Sequence, residues 1–291
     1  MSQDLDLSEL SQCALSAALA AGKVIQGFCG REVEVFSKKG GDTLASQVVT
    51  EVDRKAQDAI LAVLRPSMNL YDLALLTEES EDDGSRFQKK YFWCIDPLDG
   101  TLAFSEGENG YAVSIGLVAR DGSPQIGVIY DPVSGVLWQA AKGQGVKRNG
   151  QDWKVTDRNH TLTFTYDRSF ESHPKFSSLC HALSEVGRGL GLQGIEATQY
   201  GGSVMNAMHA LENGPGCHLK LPKPEEGGGS LWDYAATACI YEEVGAWATD
   251  VYGQPLELNR RESTFMNHRG VLYASGHILG KKITEAPFFS E

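Results

Sequence analysis

The stretch Trp93-Cys94-Ile95-Asp96-Pro97-Leu98-Asp99-Gly100-Thr101 constrains the fold more than any other part of the chain. An apolar run that reads as a buried strand from Tyr91 ends in two carboxylates three positions apart, punctuated by Pro97 and Gly100. Asp-Pro and Asp-Gly are turn signals, and an Asp suits a helix start. A turn needs only one such Asp. Two carboxylates beside an apolar strand repel each other unless a cation lies between them. Hard divalent cations take oxygen ligands, and two metals roughly 3.5–4 Å apart are a recurring device for displacement at phosphorus.

Four more acidic positions matter. Glu78-Glu79 follows a second predicted strand, "LYDLALL", and reads equally as part of an acidic loop with Glu81, Asp82 and Asp83. Asp233, in Trp232-Asp233-Tyr234-Ala235-Ala236, lies near the start of an apolar helix, where it would also complement the helix dipole. Asp53 is the third residue of a helix predicted from Thr50 to Leu64, with Thr50 as its cap and Pro66 just beyond its end. A capping box explains it without any chemistry.

The 291 residues suffice for one large domain or two halves sharing a core. Before residue 158 the pattern is a helix near Ser8–Gly27, short strands, the Thr50 helix, and then a meander from Tyr111 to about Val155 with a strong Asn149-Gly150 turn. From residue 158 onward, strands alternate with helices near Lys175–Gly187, Ser203–Leu211 and Trp232–Val244. No low-complexity linker intervenes. The expected organisation is an N-terminal α+β subdomain, 1–157, packed against a C-terminal α/β subdomain, 158–291, with the site between them.

The formal net charge is −12, and no dense block of Lys or Arg exists. That argues against a nucleic acid polymer or an anionic membrane as partner, and an anionic substrate would need a bound cation to draw it in. No apolar run reaches bilayer length and the N-terminal decapeptide is acidic, so the expected location is cytoplasmic. Six cysteines without a C-x-x-C pair read as reduced thiols. Gly189-Leu190-Gly191-Leu192-Gln193-Gly194 spells G-x-G-x-x-G, but it follows a helix and precedes a strand, so it reads as a connection.

Taken together, Glu78-Glu79-Ser80, Asp96-Pro97-Leu98-Asp99-Gly100-Thr101 and Trp232-Asp233-Tyr234-Ala235-Ala236 resemble the signature blocks of the inositol monophosphatase family, in the right order. This is a Mg²⁺-dependent, lithium-sensitive phosphatase superfamily that includes the 3′(2′),5′-bisphosphate nucleotidases. The resemblance implies an α+β or α/β fold, a layered αβαβα sandwich of the sugar-phosphatase type. It implies that Glu78, Asp96, Asp99, Asp233 and the Leu98 carbonyl hold two or three Mg²⁺ ions, with Mn²⁺ a possible substitute. Thr101 with Glu78 or Asp53 would orient the attacking water. Asp99, Gly100, Thr101, Gly202, Ser203 and Glu226 would meet a small phosphate ester. The implied substrate is a phosphorylated polyol such as inositol 1-phosphate, with adenosine 3′,5′-bisphosphate as the alternative, and the implied assembly is a homodimer. Lys220 and Lys223, in an extended loop, could meet a second phosphate but read first as solvated surface. Thr77 replaces the Gly that often precedes the Glu-Glu pair, which touches no expected ligand.

Overall fold

The computed structural model describes residues 5–31, 33–37 and 48–289. Helix α1 (Leu7–Phe28) starts at Asp6, whose Oδ1 accepts the Ser8 and Glu9 N–H groups at 2.9 and 3.0 Å. A two-stranded ribbon of β1 (Val35–Ser37) and β2 (Val48–Thr50) leads into helix α2 (Glu51–Tyr71). The α1 helix buries Leu10, Ala14, Ala17, Ala21 and Ile25 against α2, which presents Val52, Ala56, Ile60 and Leu64 at the same helical spacing.

The expected stop before Pro66 does not occur: Pro66 lies inside α2, which runs on to Tyr71. Proline deprives the Ala62 carbonyl of its helical partner. Ala62 is on the exposed face, however, while Leu64 and Ser67 are buried, so tertiary packing carries the helix past the defect. Asp72, in the left-handed region at φ 51°, ends it.

Seven strands form the first sheet: β3 (Ala74–Thr77), β4 (Tyr91–Asp99), β5 (Ala112–Ala119), β6 (Pro124–Asp131), β7 (Val136–Ala141), β8 (Val146–Arg148) and β9 (Gln151–Trp153), in sequence order. Only the β3–β4 pair is parallel. Asn149 and Gly150, both at positive φ, make the β8–β9 turn. The second sheet has the order β11 (Ile195–Thr198), β10 (Leu162–Thr165), β12 (Gly216–Lys220), β14 (Val271–Ala274), β13 (Trp247–Thr249). Helices α5 (Ser203–Glu212) and α6 (Leu231–Glu243) lie between the two sheets. Helices α4 (Phe176–Gly189) and α7 (His277–Thr284) cover the outer face of the second, as α1 and α2 cover that of the first. The result is the five-layer αβαβα sandwich. No described helix is long and apolar enough to cross a membrane.

The central layer explains two glycines. Helix α6 is apolar on every side because a sheet faces it from both directions. A Cβ at Gly116 of β5 would lie 2.9 Å from the Ala235 Cβ, and one at Gly127 of β6 would overlap the Ala236 carbonyl oxygen. The missing side chains let the helix backbone sit directly on the sheet. Gly127→Ala should therefore destabilise the protein by roughly 1–3 kcal/mol, the range for overpacking, measured as a lowered urea midpoint. Gly135→Ala, with nothing within 4 Å of its added carbon, should pay only the left-handed backbone strain and serves as the comparison.

Candidate metal and phosphate site

Strand β4 alternates regularly up to Ile95. Phe92 and Cys94 face α6, while Trp93 and Ile95 face α1 and α2. The register with β5 then slips: Asp96 pairs with Ser114 and Asp99 with Ala112, so three steps on β4 match two on β5. This bulge holds Pro97, which has no N–H to give a ladder. It turns Leu98 into the α1/α2 core, where strict alternation would have pointed it at α6. Asp96 and Asp99, three apart, consequently project to the same side. Asp96 Oδ1 accepts the Leu98 N–H at 2.9 Å across the bulge.

Asp233 comes from the third position of α6, where its Oδ2 accepts the Ser230 N–H at 2.9 Å. Its helix is held to β5 by the Ser114 hydroxyl, which donates to the Trp232 carbonyl at 3.1 Å. One carboxylate oxygen each from Asp96, Asp99 and Asp233 lies within 4.8 Å of the others. Asp99 Oδ2 accepts the Val204 N–H of α5 at 2.9 Å, so both central helices reach the same cluster.

Burial pushes the Asp96 carboxyl well above its ordinary range, with Glu78, Asp99 and Asp233 adding repulsion; Asp96 and Glu78 are also hydrogen-bonded. Burial raises Asp99 likewise, reinforced by Asp233 and opposed by the Val204 N–H and Lys220. Burial raises Asp233 against the pull of Lys220 and the Ser230 N–H. Carboxyls crowded in this way are an oxygen-donor set matched to a hard divalent cation.

Thr101 opens the short helix α3 (Thr101–Ser105) after Gly100, which sits at φ 86°. A Cβ on Gly100 would lie 2.9 Å from the Gly110 carbonyl, so glycine is required there twice over. The Thr101 hydroxyl lies 2.8 Å from Asp53 Oδ1 and 3.0 Å from the Leu98 carbonyl. Asp53 Oδ2 meanwhile accepts the Thr50 N–H at 2.8 Å. Asp53 is thus both a helix cap and a partner of the site, which it joins through Thr101.

Gly202 caps α5, and a Cβ there would overlap Asp99 Oδ2. Ser203 is next to it, and its hydroxyl accepts from Lys220 Nζ. Lys220 is where the first sequence reading fails. It is not solvated surface but lies at the end of β12, with a side chain 10% exposed, in an ion pair with Asp167 at 2.7 Å. Burial alone would lower its pKa, yet Asp167, Tyr234 and Asp233 hold it well above the ordinary value. The alternation of "CHLKL" was the available signal: His218 and Lys220 share a strand face. Glu226 is exposed and makes no hydrogen bond or ion pair among the described residues.

The raised carboxyls fix a pH dependence. Without metal, the native state binds more protons than the unfolded chain from the ordinary carboxylate pKa of about 4 upward to the raised native values. That stabilisation is present in full below the unfolded pKa and is lost as pH rises through the native values. In EDTA the melting temperature should fall as pH rises above the ordinary carboxylate pKa of about 4 and through the raised native values. Divalent cation should flatten the slope, and Asp99→Asn should reduce it without metal.

Comparison with known proteins agrees with this geometry. The profile of the inositol monophosphatase family matches residues 6–287. Inositol-1-monophosphatase of Synechocystis sp. is 32% identical over 263 residues, covering 87% of this chain and 83% of its own. Histidinol-phosphatase of Chlorobaculum parvum is 31% identical over 245 residues, covering 80% and 89%. The structure of inositol monophosphatase from Anabaena (Nostoc) sp. superimposes with a TM-score of 0.71 at 27% identity, covering 98% of this chain and 99% of that one. With the strand bulge, the acidic cluster and the five layers in place, these matches assign the chain to the inositol monophosphatase family.

Proposed function

We propose that this protein is a Mg²⁺-dependent phosphomonoesterase acting on a small phosphorylated polyol such as inositol 1-phosphate. The observation that carries the reading is the convergence of Asp96, Asp99 and Asp233, from two distant elements, within 4.8 Å. Asp96, Asp99, Asp233, Glu78 and the Leu98 carbonyl would hold the cations. Divalent cations in such a site lower the pKa of bound water and neutralise charge on phosphoryl oxygens.

The protein's own groups orient the reaction. With its hydrogen directed at Asp53 Oδ1, the Thr101 hydroxyl keeps lone pairs free to accept from a water. Asp53, through that hydroxyl, or Glu78 directly, takes the proton as the water oxygen bonds to phosphorus and the ester P–O bond breaks. Gly100 and Gly202 leave the backbone bare beside Asp99, so a phosphoryl group can approach it closely.

A specific observation supports a second substrate reading. The Lys220 ammonium, beside Ser203, is a fixed cation near the acids, while Glu226 is exposed. A substrate with a further anionic group, such as adenosine 3′,5′-bisphosphate, would gain more from Lys220 than a polyol would.

Two assays test these readings. Asp99→Asn should abolish Mg²⁺-dependent phosphate release while leaving the metal-free fold intact, since the amide oxygen can still accept the Val204 N–H. Hydrolysis undiminished in this variant would reject the reading. The double variant Lys220→Met with Asp167→Asn removes both charges, so neither is left buried alone. It should lower kcat/KM for the bisphosphate by at least about tenfold, or about 1.4 kcal/mol, and change inositol 1-phosphate turnover less. Equal losses on both substrates would reject Lys220 as a discriminator.

A further inference from the structure

Between β12 and α6 the chain carries Gly227-Gly228-Gly229, and the proposed function gives them no role. Gly228 and Gly229 hold φ of 73° and 78°, in the left-handed region. On one side this segment is tied to residues 264–267. The Met266 N–H donates to the Gly229 carbonyl at 3.0 Å, the Leu231 N–H to the Thr264 carbonyl at 2.9 Å, and the Lys223 N–H to the Asn267 carbonyl at 2.9 Å. On the other side lies Tyr234, only 1% exposed, whose hydroxyl donates to the Gly228 carbonyl at 2.6 Å.

The consequence falls on Asp233. A Cβ on Gly229 would overlap the Tyr234 hydroxyl and lie 2.6 Å from Asp233 Oδ2, the oxygen that accepts the Ser230 N–H. A Cβ on Gly228 would instead meet the Asn267 Cα at 3.4 Å and touch neither residue. The bare backbone at Gly229 thus lies beside the carboxylate, and the space its missing side chain leaves is what Asp233 Oδ2 and the Tyr234 hydroxyl use. The Tyr234 hydroxyl ties this backbone down from the side of the acid, opposite the bonds to residues 264–267. The same ring lies under the Lys220 ammonium, 5.6 Å from its centroid, so one side chain braces both an acid and the cation of the site.

We propose that Tyr234 is a positioning residue for the metal centre: through its bond to Gly228 it holds Gly229 beside Asp233 and fixes that carboxylate for cation binding. The assignment rests on the reading of Asp233 as a metal ligand. Partners behind a metal ligand typically change metal affinity when removed, even though they never touch the ion.

Calorimetric titration of Mg²⁺ or Mn²⁺ into the EDTA-stripped protein tests this without relying on turnover. Tyr234→Phe keeps the ring and removes the hydroxyl; it should weaken cation binding by about tenfold. Melting of the metal-free protein should change little. Gly228→Ala and Gly229→Ala impose similar left-handed strain, so both should lower the melting temperature. Only Gly229→Ala should also weaken cation binding by about tenfold or more, with Gly228→Ala within about twofold of the parent. Cation binding by Tyr234→Phe equal to the parent's, or equal losses in the two glycine variants, overturns the proposal. If Gly229→Ala does not fold, Tyr234→Phe decides alone. Asp99→Asn separates the two levels. Parent and Asp99→Asn binding the cation alike would defeat the metal-site reading, and this proposal with it. Loss in Asp99→Asn with none in Tyr234→Phe defeats the positioning role alone.

Discussion

Everything at this site depends on repulsion among carboxylates that the fold refuses to hydrate. Asp96 and Asp99 are 2% and 7% exposed, and their carboxyls sit well above the ordinary range because burial and mutual repulsion disfavour the charged forms. Burying like charges is costly unless something neutralises them. The chain offers partial relief through the Val204 and Ser230 N–H groups and the Lys220 ammonium. Part of the repulsion remains, and a bound cation is what would remove it. The free energy lost in crowding these acids would be recovered on binding a cation.

The fold was legible in the sequence wherever periodicity decided it. Helix α1 follows the spacing of Leu10, Ala14, Ala17, Ala21 and Ile25, and the β8–β9 turn follows Asn149-Gly150. Legibility failed where tertiary contact overrode a local rule. Pro66 was read as a stop, yet the burial of Leu64 and Ser67 carries α2 beyond it. The bulge at Pro97-Leu98 was equally invisible, because register is a property of two strands. Without it, an Asp pair three apart would face opposite sides of the sheet, and the motif spacing would make no structural sense.

The site's acids show a related point. Asp53 and Asp233 each have two competing explanations in the sequence, a local role at the helix start (a capping box for Asp53, the helix dipole for Asp233) or chemistry, and the observed geometry is compatible with both at once. Each is the third residue of its helix and accepts the cap residue's N–H through Oδ2. That leaves the second oxygen of Asp53 for Thr101. Capping fixes the carboxylate's rotamer at no extra cost, so a helix start is an economical place to hold an acid that must point in one direction. Lys220 illustrates the opposite failure. A lysine in a Pro- and Gly-rich stretch reads as surface, and only the pairing of β12 with β10 and β14 puts its stem inside.

The distance between acids from different elements is set by neighbours that carry no charge. Helix α6 can approach β5 and β6 closely because Gly116 and Gly127 leave its backbone room, and Ser114 then fixes its start through the Trp232 carbonyl. Shifting α6 outward by the thickness of one methyl group would move Asp233 away from Asp96 while leaving every residue of the cluster unchanged. Two glycines in the middle of strands, poor choices by strand propensity, are therefore part of the geometry of the acidic cluster. The same packing buries the acids and brings them together, which is why the core and the site of this protein are not separable layers of explanation.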